Sequence, residues 1–370
     1  MASTIIDNWQ ELDRLKDEWN DLLTSSRSNT IFLTWEWIQA WRNVVGENKD
    51  LFVIEIRDSQ NRLIGIAPYY CYTIRFHNLV SFKSLRVLAD YATGFEYADW
   101  IVHSDYETEA LNAIAEKLVH ARDWDLIWMP RVSGWSGAHS RLTKTLEDYG
   151  LLYHIRPSEF SALELPDTLQ SYEASFSSKR RQQLRRSRRN LFKDSEIEVV
   201  YCQTADDLPI FIDALFDLHH QRRMLLDDPG CFIRKPAEAS FYREFLPLAL
   251  DRGWLRFAAL KKNEEIQAIQ IGYAYNKDFL QMQEGFNPDF EKGSGNVLRH
   301  IVIEDCINEG LKSYDFLGGF TEHKRRWGAQ LRLGDELLIG RPCIKNRLLF
   351  TKQIWPSGKH LTEVGLYDGN

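Results

Sequence analysis

The sequence predicts an α/β protein, built from two copies of one α/β unit, each a mixed sheet flanked by helices. Three observations lead there. The chain has 370 residues, 44% of them apolar and 27% charged, which suits two compact domains. Residues 51–70 and 255–275 share one plan: an apolar run, a polar turn and a second apolar run, the signature of a β-hairpin. Each hairpin is followed at a distance by a helical pattern and then a strand opened by an aromatic–Asp–apolar triplet. These are 107–122 before Trp124-Asp125-Leu126, and 294–310 before Tyr314-Asp315-Phe316. The same order twice points to a duplication.

The elements follow in order. Residues 9–23 and 35–45 have amphipathic helical spacing, with Thr34 the expected N-cap of the second. Each hairpin is expected to turn over four or five polar residues. Leu111, Ile114, Ala115 and Leu118 form the inward stripe of the 107–122 helix. Residues 133–149 read as a helix ending before Gly150, and 157–166 as the crossing between domains. Ser177 or Ser178 caps a basic helix running to about Lys193. A strand at 197–202 precedes a helix capped by Asp206 or Asp207. The Asp-Asp-Pro-Gly turn makes 226–236 a loop before a helix at 240–252.

Composition excludes several classes. A mainly disordered or collagen-like chain would not carry this apolar content. The net charge of −7 excludes a nucleic-acid coat, although residues 175–195 hold eight Lys/Arg against one Asp. Five scattered cysteines without a CxxC pair argue against a disulfide scaffold or a structural zinc site and fit a reducing compartment. His219-His220 with Cys231 matches no standard zinc spacing. No apolar run approaches 18 residues and the N-terminal stretch lacks a signal-peptide core, so the expectation is a cytoplasmic protein without a membrane span.

Two segments can carry chemistry. In residues 283–299, a strand end and a polar loop lead to Gly293-Ser294-Gly295 opening a helix. Glycines admit a ligand close to the backbone, and a helix start offers free N–H groups to a pyrophosphate. In residues 314–329, Asp315 lies on a strand expected to be buried and Gly318-Gly319 break that strand. Thr321 can cap a short helix, on which Glu322, His323, Lys324 and Trp327 crowd together. A carboxylate, an imidazole and a lysine at a strand's carboxyl end are candidates for proton transfer.

The segment Asp315-Phe-x-x-Gly-x-x-x-x-Lys324-x-x-Trp327-Gly resembles the FemAB-like branch of the GNAT acyltransferases. It resembles most the CelD-type acetyltransferases found beside bacterial polysaccharide-synthesis genes. Trp19-Asn20-x-Leu22, Thr30-Ile-Phe-x-x-Trp35-x-Trp37 and Ser178-Lys179-x-Arg181 fit the same group, so the resemblance spans about 19–341. Two positions depart from it: His323 stands where a tyrosine is usual, and Lys292-Gly293 where Pro-Gly is usual.

The resemblance implies tandem GNAT-like folds, a degenerate copy over 1–165 and a catalytic copy over 166–370. It implies acyl transfer, from acetyl-CoA or another acyl-CoA, to an amine or hydroxyl of a small-molecule or glycan acceptor such as an amino sugar or polysaccharide precursor. An association with polysaccharide-synthesis machinery would follow; no metal is needed and nucleic acid is not the expected partner. The alternatives are an aminoacyl-tRNA-dependent FemAB-type transferase and a non-catalytic partner in exopolysaccharide or cellulose synthesis.

On this reading the amine attacks the thioester directly. The backbone of residues 281–286 steadies the oxyanion, and Glu284, His323 or Asp315 takes the proton. Phe286, Gly293, Ser294, Gly295, Asn296 and Val297 hold the donor, with Lys179 and Arg181 on its phosphates. Lys324 binds an anion or supports the acyl carbonyl, and Glu322, Trp327 and Gly319 border the acceptor.

Overall fold

The computed structural model describes residues 1–76, 80–352 and 361–364. Contacts divide the chain into two compact units. Unit 1 holds Met1–Tyr91, Phe95–Glu159 and the described residues from Arg332 onward; unit 2 holds Ala92–Gly94 and Phe160–Leu331.

Unit 1 begins with β1 (Ala2–Ile6), the helices α1 (Trp9–Leu12), α2 (Lys16–Thr24) and α3 (Trp35–Trp41), then β2 (Leu51–Arg57), β3 (Leu63–Phe76) and β4 (Val80–Val87). After the short β5 (Ile101–Val102) come α4 (Glu107–His120), β6 (Leu126–Ser133), α5 (Ala138–Asp148) and the first residues of β7 (Leu152–Glu164). Unit 2 continues with α6 (Leu169–Ala174), α7 (Ser178–Leu191), β8 (Ile197–Tyr201), α8 (Leu208–Met224), α9 (Cys231–Arg234) and α10 (Pro236–Asp251). Next are β9 (Leu255–Lys262), β10 (Glu265–Tyr275), β11 (Asp278–Phe286), α11 (Ser294–Asn308), β12 (Ser313–Gly318) and α12 (Glu322–Arg325). The chain ends with β13 (Gln330–Gly340), α13 (Ile344–Thr351) and β14 (Leu361–Val364).

The duplication is visible as topology. In unit 1, β1, β2, β3 and β4 pair antiparallel in sequence, and α4 then leads to β6, which lies parallel to β4 over three residue pairs. In unit 2, β8, β9, β10 and β11 pair antiparallel in the same order, and α11 leads to β12, parallel to β11 over three residue pairs. The final strand of each sheet comes from elsewhere in the chain. Residues 160–164 of β7 flank β12 in unit 2, and residues 334–340 of β13 flank β6 in unit 1.

Local sequence accounts for most boundaries. Thr34 Oγ1 accepts from the Trp37 amide at 3.3 Å and Ser177 Oγ from the Arg180 amide at 3.3 Å, as their residue types require. The inward stripe of α4 is buried as expected. Other expectations need correction. The second hairpin turns over only Asn263 and Glu264, both at positive φ, a tight turn whose twist suits the strands. Asp207 precedes α8 but spends its carboxylate on Gln203 and Thr204. Residues 157–164 are strand rather than connector, and α5 starts five residues later than its pattern suggested. Residues from Arg332 onward, expected with the C-terminal copy, belong by contacts to unit 1. The core of unit 2 lies between its sheet and α7 and α11, around Tyr172, Leu298, Ile301, Tyr314 and Trp327. No helix among the described residues is long and apolar enough to cross a membrane.

Candidate functional site

The site lies within unit 2, where two parallel strands part. β11 and β12 are paired only from Asp278↔Ser313 to Leu280↔Asp315. Beyond that point β11 stays with β10 as far as Phe286↔Ala268, with a bulge at Met282, while β12 follows β7 to Gly318↔Phe160. Residues 281–286 thus lose their neighbour on one side. A cleft of about 580 Å³ opens there, lined by Glu284, Phe286, the 293–296 turn, Arg299 and His323.

The start of α11 forms one wall. Gly293 sits at φ 88°, a conformation that favours glycine, and no side chain caps the helix. The amides of Asn296 and Val297 both turn back to the Gly293 carbonyl at 3.0 Å. An uncapped start of a 15-residue helix carries partial positive charge toward the cleft. Ser294, Gly295 and Asn296 line the cleft, whereas Val297 is buried beneath it in the core.

A charged cluster forms the other wall. Glu284 Oε1 pairs with Arg222 at 2.8 Å, and Oε2 accepts from Arg299. Burial works against ionisation of Glu284, but Arg299 and Arg222 outweigh it and hold its pKa below the usual carboxylate range. Arg299 is 3% exposed, and its Nη1 donates to His323 Nε2 at 2.9 Å. Because a guanidinium can only donate, Nε2 of His323 is unprotonated and its proton sits on Nδ1. Desolvation on that side, then the positive charges of Arg299 and Arg222, push the His323 pKa down to about 4. His219 donates from Nδ1 to the Glu284 carbonyl at 3.2 Å and lies 3.6 Å from Cys231 Sγ, which ties α8 and α9 to β11. Gly285 permits this approach, since a Cβ there would stand 2.5 Å from the His219 amide nitrogen.

Asp315 and Lys324 have a different setting. Asp315 is buried and accepts the Leu317 amide at 2.7 Å, holding Leu317 at φ 60°. Lys324 Nζ donates to the carbonyls of Phe316 at 2.8 Å, Gly318 at 2.5 Å and Gly319 at 3.1 Å. Acid and lysine thus clamp the same tight turn at the end of β12. Neither lines the cleft, nor do Gly319, Glu322 or Trp327. Trp327 is 1% exposed in the core, and the exposed Glu322 pairs with Arg325 and Arg326.

On α7, Lys179 is exposed and Arg181 half-buried, and neither lines the cleft. The inward cation is their neighbour Arg180, whose guanidinium lies 4.8 Å from the Trp327 ring centroid. Sequence reasoning missed Arg180, Arg222 and Arg299. Only Arg299 left a trace: it interrupts the apolar run of α11 at a position facing inward. Among the described residues no group of three His, Cys, Asp or Glu is placed to hold a metal ion.

Residues 178–325 match the family model described as an acetyltransferase (GNAT) domain. The fold is similar to the crystal structure of FemX, at 11% identity and a TM-score of 0.61, covering 95% of this chain and 99% of that one. It is also similar to the C-terminal domain of a putative lysylphosphatidylglycerol synthetase from Agrobacterium fabrum, at 11% identity and a TM-score of 0.52, covering 92% of this chain and 96% of that one. A conserved protein of unknown function from Bacteroides thetaiotaomicron aligns at 12% identity and a TM-score of 0.52, covering 92% of this chain and all of that one. No curated protein matches the sequence. The residues that match the acetyltransferase (GNAT) domain model, 178–325, all lie within unit 2.

Proposed function

We propose that the chain transfers an acyl group, acetyl or longer, from coenzyme A to an amine or hydroxyl of a small acceptor, in a ternary complex. The observation that carries this reading is the parting of β11 from β12 beside the uncapped start of α11. The gap gives a thioester carbonyl access to the free edge of residues 281–286, and the helix start suits a pyrophosphate. Holding nucleophile and carbonyl at near-attack distance supplies much of the rate enhancement.

The proton chemistry follows from the cluster. Glu284 is held ionised by two arginines and is a weak proton acceptor, serving instead to orient Arg222 and Arg299. His323 is neutral at pH 7 and donates through Nδ1, so it orients the acceptor or the developing oxyanion. It can take a proton only when Nε2 is released by Arg299. An amine acceptor is then used in its free-base form, and we expect turnover to rise with pH toward the pKa of the acceptor itself. An amino sugar or polysaccharide precursor as acceptor, a cytoplasmic site of action and an association with polysaccharide-synthesis machinery rest on the CelD-type resemblance.

The test is ligand-linked stability of the full chain. Acyl-CoA at about 100 times its Kd stabilises by roughly 2.7 kcal/mol, a shift of several degrees in melting temperature. Gly293→Val, which strains the α11 start, is expected to reduce the shift sharply. Absence of any shift across acetyl-, succinyl- and long-chain acyl-CoA would overturn the proposal.

A further inference from the structure

Unit 2 holds another cavity at the opposite end of α11. It measures about 630 Å³ and lies among the end of β8, the end of α10, the start of β9 and the C-terminal half of α11. Its wall is apolar, with Leu255, Phe257, Phe279, Val302 and Cys306 lining it, each of them buried. It shares no lining residue with the transfer cleft, and along α11 Ser294 of the cleft and Asp305 of this cavity stand about 16 Å apart. The charges at its polar end do not cancel. Arg188 pairs with Glu304 at 2.6 Å and Arg256 with Glu309 at 2.8 Å, one for one. Asp305 has no cation at ion-pair distance among the described residues, and its Oδ2 accepts from the Tyr201 hydroxyl at 2.7 Å. Burial raises the Asp305 pKa, the Tyr201 bond opposes that, and the like charges of Glu304 and Glu309 add to the rise. The last turn of α11 carries no basic residue, so the negative end of the helix dipole adds to the same field. A second hollow, of about 490 Å³, shares Tyr201, Asp305 and Asn308 with the cavity, so the uncompensated acid stands where the two meet. An apolar chamber with excess negative charge at one end suits a cation carried on an apolar body.

We propose that this cavity binds an apolar amine, with its ammonium on Asp305 at the end of α11 and its body against Leu255, Phe257 and Val302. The Tyr201 hydroxyl uses one lone pair of the Asp305 carboxylate, and the ammonium takes those that remain. A volume of about 630 Å³ accommodates a ligand with a body of one or two rings or a medium-length chain. Held about 16 Å from the cleft along α11, the amine is out of reach of the thioester and is a ligand besides donor and acceptor. One helix then serves two ligands of opposite charge, an anion at its start and a cation at its end.

The test is calorimetric titration of the full chain with tryptamine, indole-3-ethanol and indole-3-acetate, with and without saturating CoA. Tryptamine is expected to bind about tenfold tighter than the neutral alcohol, the difference a charge-assisted hydrogen bond makes, and the anion to bind weakest. Asp305→Asn should bring tryptamine and indole-3-ethanol to about equal affinity. Tyr201→Phe, which leaves the carboxylate in place, should keep the preference, and Val302→Phe, which fills the cavity, should weaken all three ligands. The proposal is overturned if tryptamine does not bind or binds no better than the alcohol. It is equally overturned if the preference survives Asp305→Asn, if tryptamine binding survives Val302→Phe, or if CoA displaces tryptamine, which would place the amine in the cleft. Should Asp305→Asn melt far below wild type, Val302→Phe and the comparison of the three ligands decide in its place. Failure of CoA to bind would sink the acyl-transfer reading and leave this site standing.

Discussion

Lys324 shows how a motif residue can serve shape before chemistry. Its ammonium satisfies three carbonyls of the turn that Asp315 and Leu317 begin, and charge-assisted hydrogen bonds of this kind contribute about 1.5–3 kcal/mol each at most. We expect Lys324→Met to destabilise unit 2 by about 2 kcal/mol in urea unfolding; normal stability with lost turnover would assign the lysine to chemistry instead. His219 carries a pH signature. Burial, opposed by its bond to the Glu284 carbonyl, lowers its pKa from 6.5 to about 4. The unfolded chain therefore binds that proton more readily, so stability is complete above about pH 6.5 and is lost as pH falls toward 4. His219 is 5% exposed, and the loss amounts to up to about 3 kcal/mol. Urea midpoints measured from pH 7 to 4.5 should fall steeply for wild type and more gently for His219→Asn. Equal slopes would show that other groups drive the acid limb. Among single residues the sequence named Glu284, Phe286, His323 and the 293–296 turn, which line the cleft, but not Arg222 or Arg299 beside them. Lys179 and Arg181 bracket Arg180, yet which of three adjacent cations turns inward depends on helix phase against Trp327.

At the level of elements, the cleft depends on how closely α8 approaches β11. A Cβ at Gly285 would meet backbone atoms of His219 and Leu218 at 2.5 and 2.6 Å, and backbone cannot yield as a side chain can. We expect Gly285→Ala to cost about 1–3 kcal/mol, the usual range for overpacking. It should also weaken acyl-CoA binding, because α8 carries Arg222 to Glu284; calorimetric titration and unfolding of the same variant check both effects. The Gly293 turn, the start of α11 and the Thr321 cap were legible because they depend on residue type at one or two positions. The length of the β11–β12 pairing was not, since nothing local marks where two strands cease to be neighbours.

For the whole molecule, the duplicated plan was readable because hairpin, helix and strand repeat as local patterns. The source of each sheet's last strand was not. Residues 334–340 pair with β6, some two hundred positions earlier in the chain, and a pattern of alternating residues does not name its partner. Truncation after Leu331 is therefore expected to act far from the cut. Hydrogen exchange should speed up in residues 126–133 of unit 1 while residues 278–286 of unit 2 keep their protection. Loss of protection confined to the residues next to the cut would contradict the division into units.

The sequence alone determined the periodic elements, their caps, the duplication and the two segments that border the cleft, because periodicity, capping and glycine conformations are properties of neighbours in the chain. Only the tertiary structure decided that Arg222, Arg299 and His323 meet at Glu284, that Lys324 closes a turn, and that Arg180 stacks on Trp327. Charges from α7, α8, β11, α11 and α12 converge there, and the balance between burial and pairing that sets their roles exists only once those elements have packed.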